Sequence, residues 1–135
     1  MRAAGRAESD LPRDPLLGLP RRERLRRRPE FLRVYERGIR AHGRYMVVFV
    51  MVRPDEQVDS RLGVTASRRV GGAVVRSRCK RRLRELFRLH RDELPGMVLD
   101  VVINARGECV GAPWEELKRD YRKCMKRLQQ VLRPT

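Results

Sequence analysis

The chain has 135 residues, which suits one domain with a single hydrophobic core. Its formal net charge of +16, from 33 Lys and Arg against 17 Asp and Glu, makes a polyanion the expected partner. The longest apolar run, residues 45–52, is too short to cross a bilayer, and no N-terminal stretch has the apolar length of a secretory signal. Composition therefore predicts a soluble, cytoplasmic protein without a membrane partner.

The N-terminal part divides into an extension and a first helix. Residues 1–19 have zero net charge and no sustained period, which predicts a disordered extension before a single domain at 20–133. A basic run, PRRERLRRR, then leads into a predicted helix at 29–37 that ends at Gly38. Phe31 and Tyr35 share a face of this helix, and from the residues alone they are equally well explained as core anchors.

The remaining elements follow as strands and helices. Strands are predicted at 45–52, at 61–69 and at 98–105, from β-prone or alternating apolar residues between turn signals. Helices are predicted at 73–91 and, opened by Pro113, as far as residue 132. The order indicates helices packed on a sheet, with a β-α-β crossover whose default hand is right.

The central feature is the stretch 68–91, which holds ten Arg or Lys and one acid, Glu85. Wound as a helix, it puts an apolar stripe on one side and cations on the other. The stripe contains Val75, Cys79, Leu83, Leu86, Phe87 and His90, and the opposite side contains Lys80, Arg81, Arg84, Arg88 and Arg91. Burial of the stripe would hold the cations outward as a fixed array.

The start of this helix favours an anion. Arg76 and Arg78 lie in its first turns, where the helix dipole disfavours cations, beside Gly71 and Gly72 and their free N–H donors. A phosphate backbone would stabilise this arrangement. The alternative is a solvated basic face. The excess of positive charge without acidic partners, and the second basic run, favour a nucleic acid.

Catalytic or metal-binding groups are not indicated. Cys79, Cys109 and Cys124 are widely spaced, without a C-x-x-C pair, and only two histidines occur. The acids are scattered, without the cluster that two-metal phosphodiester hydrolysis requires. The sequence therefore predicts no catalytic residue, no metal ligand and no disulfide.

The segment RLGVTASRRVGGAVVRSRCKRRLRELFR resembles the signature of the bacterial ribonuclease P protein subunit. That signature is a strand ending in basic residues, a V-G-x-A-V loop and the helical motif R-N-R-x-K-R-x-x-R. The opening LPRRERLRRRPEFLRVYERG is similar to the first segment of the same family. Two positions depart from the pattern, because Gly72 and Ser77 stand where the family has asparagine; Ser77 keeps a hydroxyl but lacks the bidentate amide.

The resemblance implies an α/β (α+β) two-layer sandwich in the order αβββαβα. Its mixed four-stranded sheet would contain a left-handed βαβ crossover, as in a related ribosomal-protein domain, in place of the right-handed default. The implied activity is that of an endoribonuclease, ribonuclease P, which removes the 5′ leader of precursor tRNA. Catalysis would reside in the partner RNA with Mg²⁺, and the chain itself would bind no cofactor.

The resemblance also implies two binding sites. Ribonuclease P RNA would contact Arg68, Arg69, Arg76, Ser77, Arg78, Lys80, Arg81, Arg84 and Arg88. A cleft for the single-stranded leader would be lined by Phe31, Tyr35 and, on the first long strand, Val50.

Three other functions remain open at this point. One is a ribosomal or architectural RNA-binding protein of the same fold. Another is a DNA-binding regulator, although the basic helix offers neither clear base-reading Asn or Gln side chains nor a dimer seam, so DNA is not the expected partner. The last is a protein-only nuclease, which would cut RNA without an RNA cofactor.

Overall fold

Three helices and four strands make up the structure, a computed structural model that describes residues 19–53, 59–94 and 98–132. In chain order they are α1 (Arg28–Arg37), β1 (Ile39–His42), β2 (Met46–Val52), β3 (Arg61–Thr65), α2 (Ala73–Leu89), β4 (Leu99–Ala105) and α3 (Trp114–Leu132). Short 3-10 helices lie at Arg21–Glu23, Arg91–Glu93 and Gly107–Gly111. The predicted order αβββαβα is confirmed.

The sheet is mixed and four-stranded, with strand order β1-β2-β4-β3. β2 is antiparallel to both β1 and β4, whereas β3 and β4 are parallel. Periodicity alone did not predict β1, because this short strand buries only Ala41. β3 is shorter than the predicted 61–69, since the chain leaves the sheet after Thr65. The left-handed crossover stays a prediction from the resemblance.

Alternation along the strands gives the sheet two apolar faces. Val48, Val50, Val101 and Ile103 point to one face and join the main core under α2 and α3. The opposite face is covered by α1, with a smaller core of Leu25, Val34, Phe49, Met51 and Val102. The expected layer of helices on a sheet is present, and α1 adds a layer on the other face.

The two long helices bury the stripes that their sequences predict. In α2 the buried side chains are Cys79, Leu83, Leu86 and Phe87, and in α3 they are Leu117, Tyr121, Cys124, Met125 and Leu128. Val75 and His90 are only half-buried, at the two ends of the α2 stripe. All three cysteines are free and buried, and burial raises the pKa of the Cys124 thiol to about 11, so it packs as an apolar side chain.

The segment before α1 lies along the edge strand β3. The N–H of Leu25 donates to the carbonyl of Leu62 over 2.9 Å, which places the basic run beside the sheet. Leu19, the last residue of the predicted extension, is 3% exposed and packs in the main core. The rest of that extension, 1–18, lies outside the described residues.

A buried ion network fixes the start of α1 to the sheet. Asp100 is 1% exposed and accepts two hydrogen bonds from the Arg61 guanidinium, over 2.9 and 2.8 Å. Arg61 also donates to Glu30 over 3.1 Å, and Glu30 caps α1 by accepting from the N–H groups of Arg26 and Arg27. Nε of Arg53 also lies 3.6 Å from Oδ1 of Asp100, so two guanidinium groups share this buried carboxylate.

Candidate nucleic-acid interface

A tight turn between β3 and α2 presents the first pair of predicted RNA-binding residues. Val70 is 8% exposed and anchors the turn, while Arg68 and Arg69 are exposed. Gly71 has φ +154°, and a Cβ there would lie 2.8 Å from Cγ1 of Val75, so glycine is needed for the chain to enter the helix. The turn therefore holds two guanidinium groups at the N-terminal end of α2.

The N-terminus of α2 has open backbone donors and nearby cations. No side chain caps it, its first turn contains no acid, and a Cβ on Gly72 would meet nothing within 4 Å. Ser77 and Arg78 are exposed, and Arg76 is half-buried. In the part of the chain that the structure describes, Nε of Arg76 is buried without a hydrogen-bond partner. This end of the helix therefore concentrates positive potential and unsatisfied donors, which suits an anion.

The two basic runs of the sequence meet at the middle of α2. Burial lowers the pKa of the Arg84 guanidinium, and repulsion by Arg24 and Arg81 lowers it further, so Arg24 of the N-terminal run lies close to the helix. Lys80 and Arg84 are half-buried, whereas Arg81 is exposed. The expected outward array of cations is therefore partly packed against the protein.

Another arginine of α2 has a structural role that the sequence did not indicate. Arg82 is half-buried and donates hydrogen bonds to the backbone carbonyls of Cys109 and Ala112. It thereby ties α2 to the 3-10 helix Gly107–Gly111. Only its position between the apolar stripe and the basic face could have suggested this role.

The C-terminal end of α2 and the 3-10 helix after it differ, because Arg88 and Arg91 are paired. Arg88 forms an ion pair with Glu85, and Arg91 pairs with the buried Glu23. By contrast, among residues 19–53, 59–94 and 98–132 no carboxylate forms an ion pair with seven of the predicted RNA-binding cations, namely Arg68, Arg69, Arg76, Arg78, Lys80, Arg81 and Arg84. The uncompensated charge lies toward the N-terminal end of α2.

A second surface lies on the opposite face of the sheet, beside α1. Strand register arranges its side chains into three rows: Arg61, Asp100 and Met51; then Gly63, Val102, Phe49 and Arg40; then Thr65, Asn104, Val47 and His42. The ion network occupies the first row, and α1 covers Gly63, Val102 and Phe49 of the second. The third row stays partly exposed, so it forms the floor of a cleft.

Two aromatic side chains of α1 close one side of this cleft. The Phe31 ring sits over Gly63, where a Cβ would lie 2.5 Å from its Cε2 and Cζ atoms. The Tyr35 ring is 4.8 Å from that of Phe49 in an edge-on arrangement, and Tyr35 is 36% exposed. Both predicted aromatics therefore lie at the cleft. Tyr35 offers an accessible ring, while Phe31 mainly packs helix against sheet.

The prediction of Val50 as a cleft residue is contradicted by the fold. Its side chain is 1% exposed and belongs to the main core, on the opposite face of the sheet. The neighbouring Phe49 faces α1 instead. Because side chains alternate between the two faces of a strand, an error of one residue in the predicted register places a side chain on the wrong face. The signal that could have corrected it is the aromatic character of Phe49, next to the aromatics of α1.

In the described ranges, no three His, Cys, Asp or Glu side chains are grouped so that they could hold a metal ion. None of the helices in those ranges combines the length and apolar character needed to traverse a membrane.

A mixed sheet with a basic helix on one face and an open aromatic cleft on the other defines an α+β nucleic-acid-binding protein. Residues 19–129 match the family model described as Ribonuclease P. The chain belongs to this family of ribonuclease P protein components.

Similar proteins agree with this assignment. The ribonuclease P protein component of Desulfovibrio desulfuricans is 51% identical over 88 residues, which cover 65% of this chain and 67% of the relative. That of Acidothermus cellulolyticus is 36% identical over 113 residues, covering 84% and 93%. The solved ribonuclease P protein from Thermotoga maritima superposes with a TM-score of 0.68 at 28% identity, over 78% of this chain and 96% of that one.

Family membership has two direct consequences. It supports a role in ribonuclease P and tRNA processing over the ribosomal or architectural alternative. It also implies partnership with ribonuclease P RNA. The individual residues that make these contacts have to be argued from the geometry.

Proposed function

We propose that this chain is the accessory subunit of a cytoplasmic ribonuclease P in which the RNA, with Mg²⁺, cleaves precursor tRNA. The N-terminal half of α2 and the preceding turn bind the catalytic RNA. The cleft beside α1 holds the single-stranded 5′ leader. The chain contributes no catalytic group, and the metal ions belong to the RNA.

The observation that carries the proposal is the continuity of the two surfaces along the chain. Thr65 is the end residue of the third row, which forms the cleft floor. Arg68 begins the basic turn three residues later. An RNA segment in the cleft is thereby held next to the RNA bound at the start of α2. Such an arrangement places a leader beside the catalytic RNA.

The basic surface suits a folded RNA partner. Lys and Arg side chains that neutralise phosphates release condensed counterions, which drives association without reading sequence. The uncompensated cations toward the start of α2 are fixed by a buried helix stripe, so they lose less side-chain entropy on binding than mobile ones.

The cleft suits an unpaired strand. Its floor crosses four adjacent strands, roughly 14 Å at the usual spacing, which accommodates a few nucleotides. One wall carries the accessible Tyr35 ring, and the floor offers the polar groups of Thr65 and Asn104. Unpaired nucleotides are commonly bound by such stacking surfaces near positive charge.

The chain would assist cleavage by positioning rather than by chemistry. Holding the leader fixes the scissile region against the catalytic RNA, which saves the entropy of aligning two partners. The cations near the start of α2 reduce repulsion between the phosphates of the two RNAs, so fewer free Mg²⁺ ions are needed.

Binding of precursor and mature tRNA to the assembled holoenzyme tests the proposal. Tyr35→Ala should reduce the preference for the leader-bearing substrate at least about fivefold, because stacking of one base contributes about 1–3 kcal/mol. Leu32→Ala is the matched control, since Leu32 is an exposed apolar residue of the same helix. An equal loss of affinity for both substrates in Tyr35→Ala would contradict a leader cleft.

A further inference from the structure

A groove lies between the outer side of α3 and the 3-10 helix Arg91–Glu93, which follows α2. It has a volume of about 730 Å³, and its lining shares no residue with the basic turn or with the cleft beside α1. Glu93 joins the two walls, because its carboxylate pairs with Arg122 over 3.1 Å and its backbone carbonyl accepts from Nε2 of Gln129 over 3.1 Å. The groove is therefore built into the fold.

The charged side chains that line the groove are mostly basic. They are Glu93, Glu115, Lys118, Arg119, Arg122, Lys123 and Lys126. Both acids already have a partner on α3. Glu93 pairs with Arg122, and Glu115 pairs with Lys118 over 3.3 Å. The acids therefore neutralise only two of the five cations.

The other three cations, Arg119, Lys123 and Lys126, form an exposed row along α3. Their spacing of four and three residues places them on one side of the helix, over a length of about 10 Å. No carboxylate in the described part of the chain forms an ion pair with any of them. This row is a second uncompensated basic surface, separate from the start of α2.

His90 adds a polar group to the lining of the groove. Its Nδ1 donates to the backbone carbonyl of Leu86 over 2.8 Å. Since a carbonyl oxygen can only accept, Nδ1 carries the hydrogen, and Nε2 of the neutral ring is an acceptor. Nε2 has no hydrogen-bond partner in the ranges that the structure describes. The ring also packs against that of Tyr121, with centroids 5.9 Å apart, which holds it in place.

We propose that this groove is a second binding site for ribonuclease P RNA. It takes the sugar–phosphate backbone of a segment other than the one bound at the start of α2. The unpaired cations of α3 contact phosphates, and Nε2 of His90 accepts from a ribose 2′-hydroxyl. This inference rests on the proposed function, in which α2 binds the catalytic RNA.

The position of the groove favours the catalytic RNA over the substrate leader. α2 and α3 cover one face of the sheet, whereas α1 and the cleft lie on the opposite face. α2 has 17 residues, so the groove beyond its C-terminal end lies about 25 Å from the basic turn. An RNA held at the start of α2 can therefore reach the groove across the outer side of the same helical layer.

Filter binding of the chain to ribonuclease P RNA at several salt concentrations tests the basic row. Lys123→Ala should make the slope of log K against log salt shallower by about 0.7–0.9, the value for one phosphate contact. Arg127→Ala is the matched control, since Arg127 is an exposed cation of the same helix that does not line the groove. Its slope should stay close to that of wild type, and equal slopes in the two variants would overturn the proposal.

His90→Phe tests the ribose contact in the same assay. Phenylalanine keeps a ring beside Tyr121 but lacks the acceptor, so affinity should fall roughly three- to tenfold, as expected for one hydrogen bond, with the salt slope unchanged. Unchanged affinity would overturn the assignment of the groove to a ribose. Urea unfolding of each variant verifies that the fold is retained.

Arg78→Ala separates failure of this inference from failure of the proposed function. If Arg78→Ala makes the slope shallower but Lys123→Ala behaves like Arg127→Ala, the start of α2 binds RNA and the groove does not. If neither Arg78→Ala nor Lys123→Ala changes the slope, the proposed RNA contact of α2 fails as well. Weaker binding of precursor tRNA by the Lys123→Ala holoenzyme, with its assembly unchanged, would assign the groove to the substrate and overturn the proposal.

Discussion

The salt dependence of RNA binding should decrease when a cation near the N-terminal end of α2 is removed. Seven predicted RNA-binding cations have no ion-pair partner among the described carboxylates. If all seven neutralise phosphates, a plot of log K against log salt has a slope of roughly −5 to −6. Arg78→Ala should make this slope shallower by about 0.7–0.9.

Two variants serve as controls in the same filter-binding assay with ribonuclease P RNA. Arg88→Ala should change the slope less than Arg78→Ala, because its guanidinium is already paired with Glu85. Arg127→Ala removes an exposed cation of α3, so it matches the change in net charge away from α2. Equal changes of slope in all three variants would show that net charge, rather than the start of α2, determines binding.

Three further predictions concern the cleft and α1. Phe49→Ala should reduce the preference of the holoenzyme for precursor over mature tRNA. Val50→Ala should keep this preference and lower the free energy of unfolding by about 2 kcal/mol. A loss of the preference in Val50→Ala would contradict the placement of Val50 on the opposite face of the sheet. Gly63→Ala should lower the free energy of unfolding in urea by about 1–3 kcal/mol, since its Cβ would lie 2.5 Å from the Phe31 ring; unchanged stability would mean that α1 shifts freely. Burial pushes the pKa of Glu30 upward, but backbone hydrogen bonds and the charge of Arg61 outweigh it, so the folded pKa is lowered. The ionised Glu30 carboxylate therefore stabilises the fold at pH values above the ordinary pKa of 4.5, and this stabilisation is lost as pH falls through the lower folded pKa. Between these two pKa values, the free energy of unfolding of Glu30→Gln should fall less than that of wild type.

Local patterns predicted the main helices and strands well, because each long element buries a continuous face. The α2 and α3 stripes and the alternation of β2 are strong signals, and their packing follows from them. β1 was missed by pattern because a four-residue strand with one buried side chain has almost no periodicity. It pairs with β2 as a hairpin, closed by a hydrogen bond from the N–H of Gly43 to the carbonyl of Met46.

The sequence predicted a basic RNA-binding surface on α2, but it did not predict which side chains form the cleft floor. The basic motif is contiguous in sequence, so its location on α2 followed directly. Arg88 was predicted to contact RNA, and its pairing with Glu85 depends on rotamers that sequence does not determine. The cleft combines residues from α1, β2, β3 and β4, and its floor residues Thr65 and Asn104 meet only through the parallel pairing of β3 with β4. No local signal could have brought them together.

Cleavage of a precursor tRNA by a bacterial ribonuclease P RNA at low Mg²⁺ tests whether this chain assists a catalytic RNA. The reaction is run with the RNA alone, with the protein alone and with both. We expect efficient removal of the 5′ leader only when both are present. Cleavage by the protein alone, or no stimulation of the RNA by the protein, would contradict it.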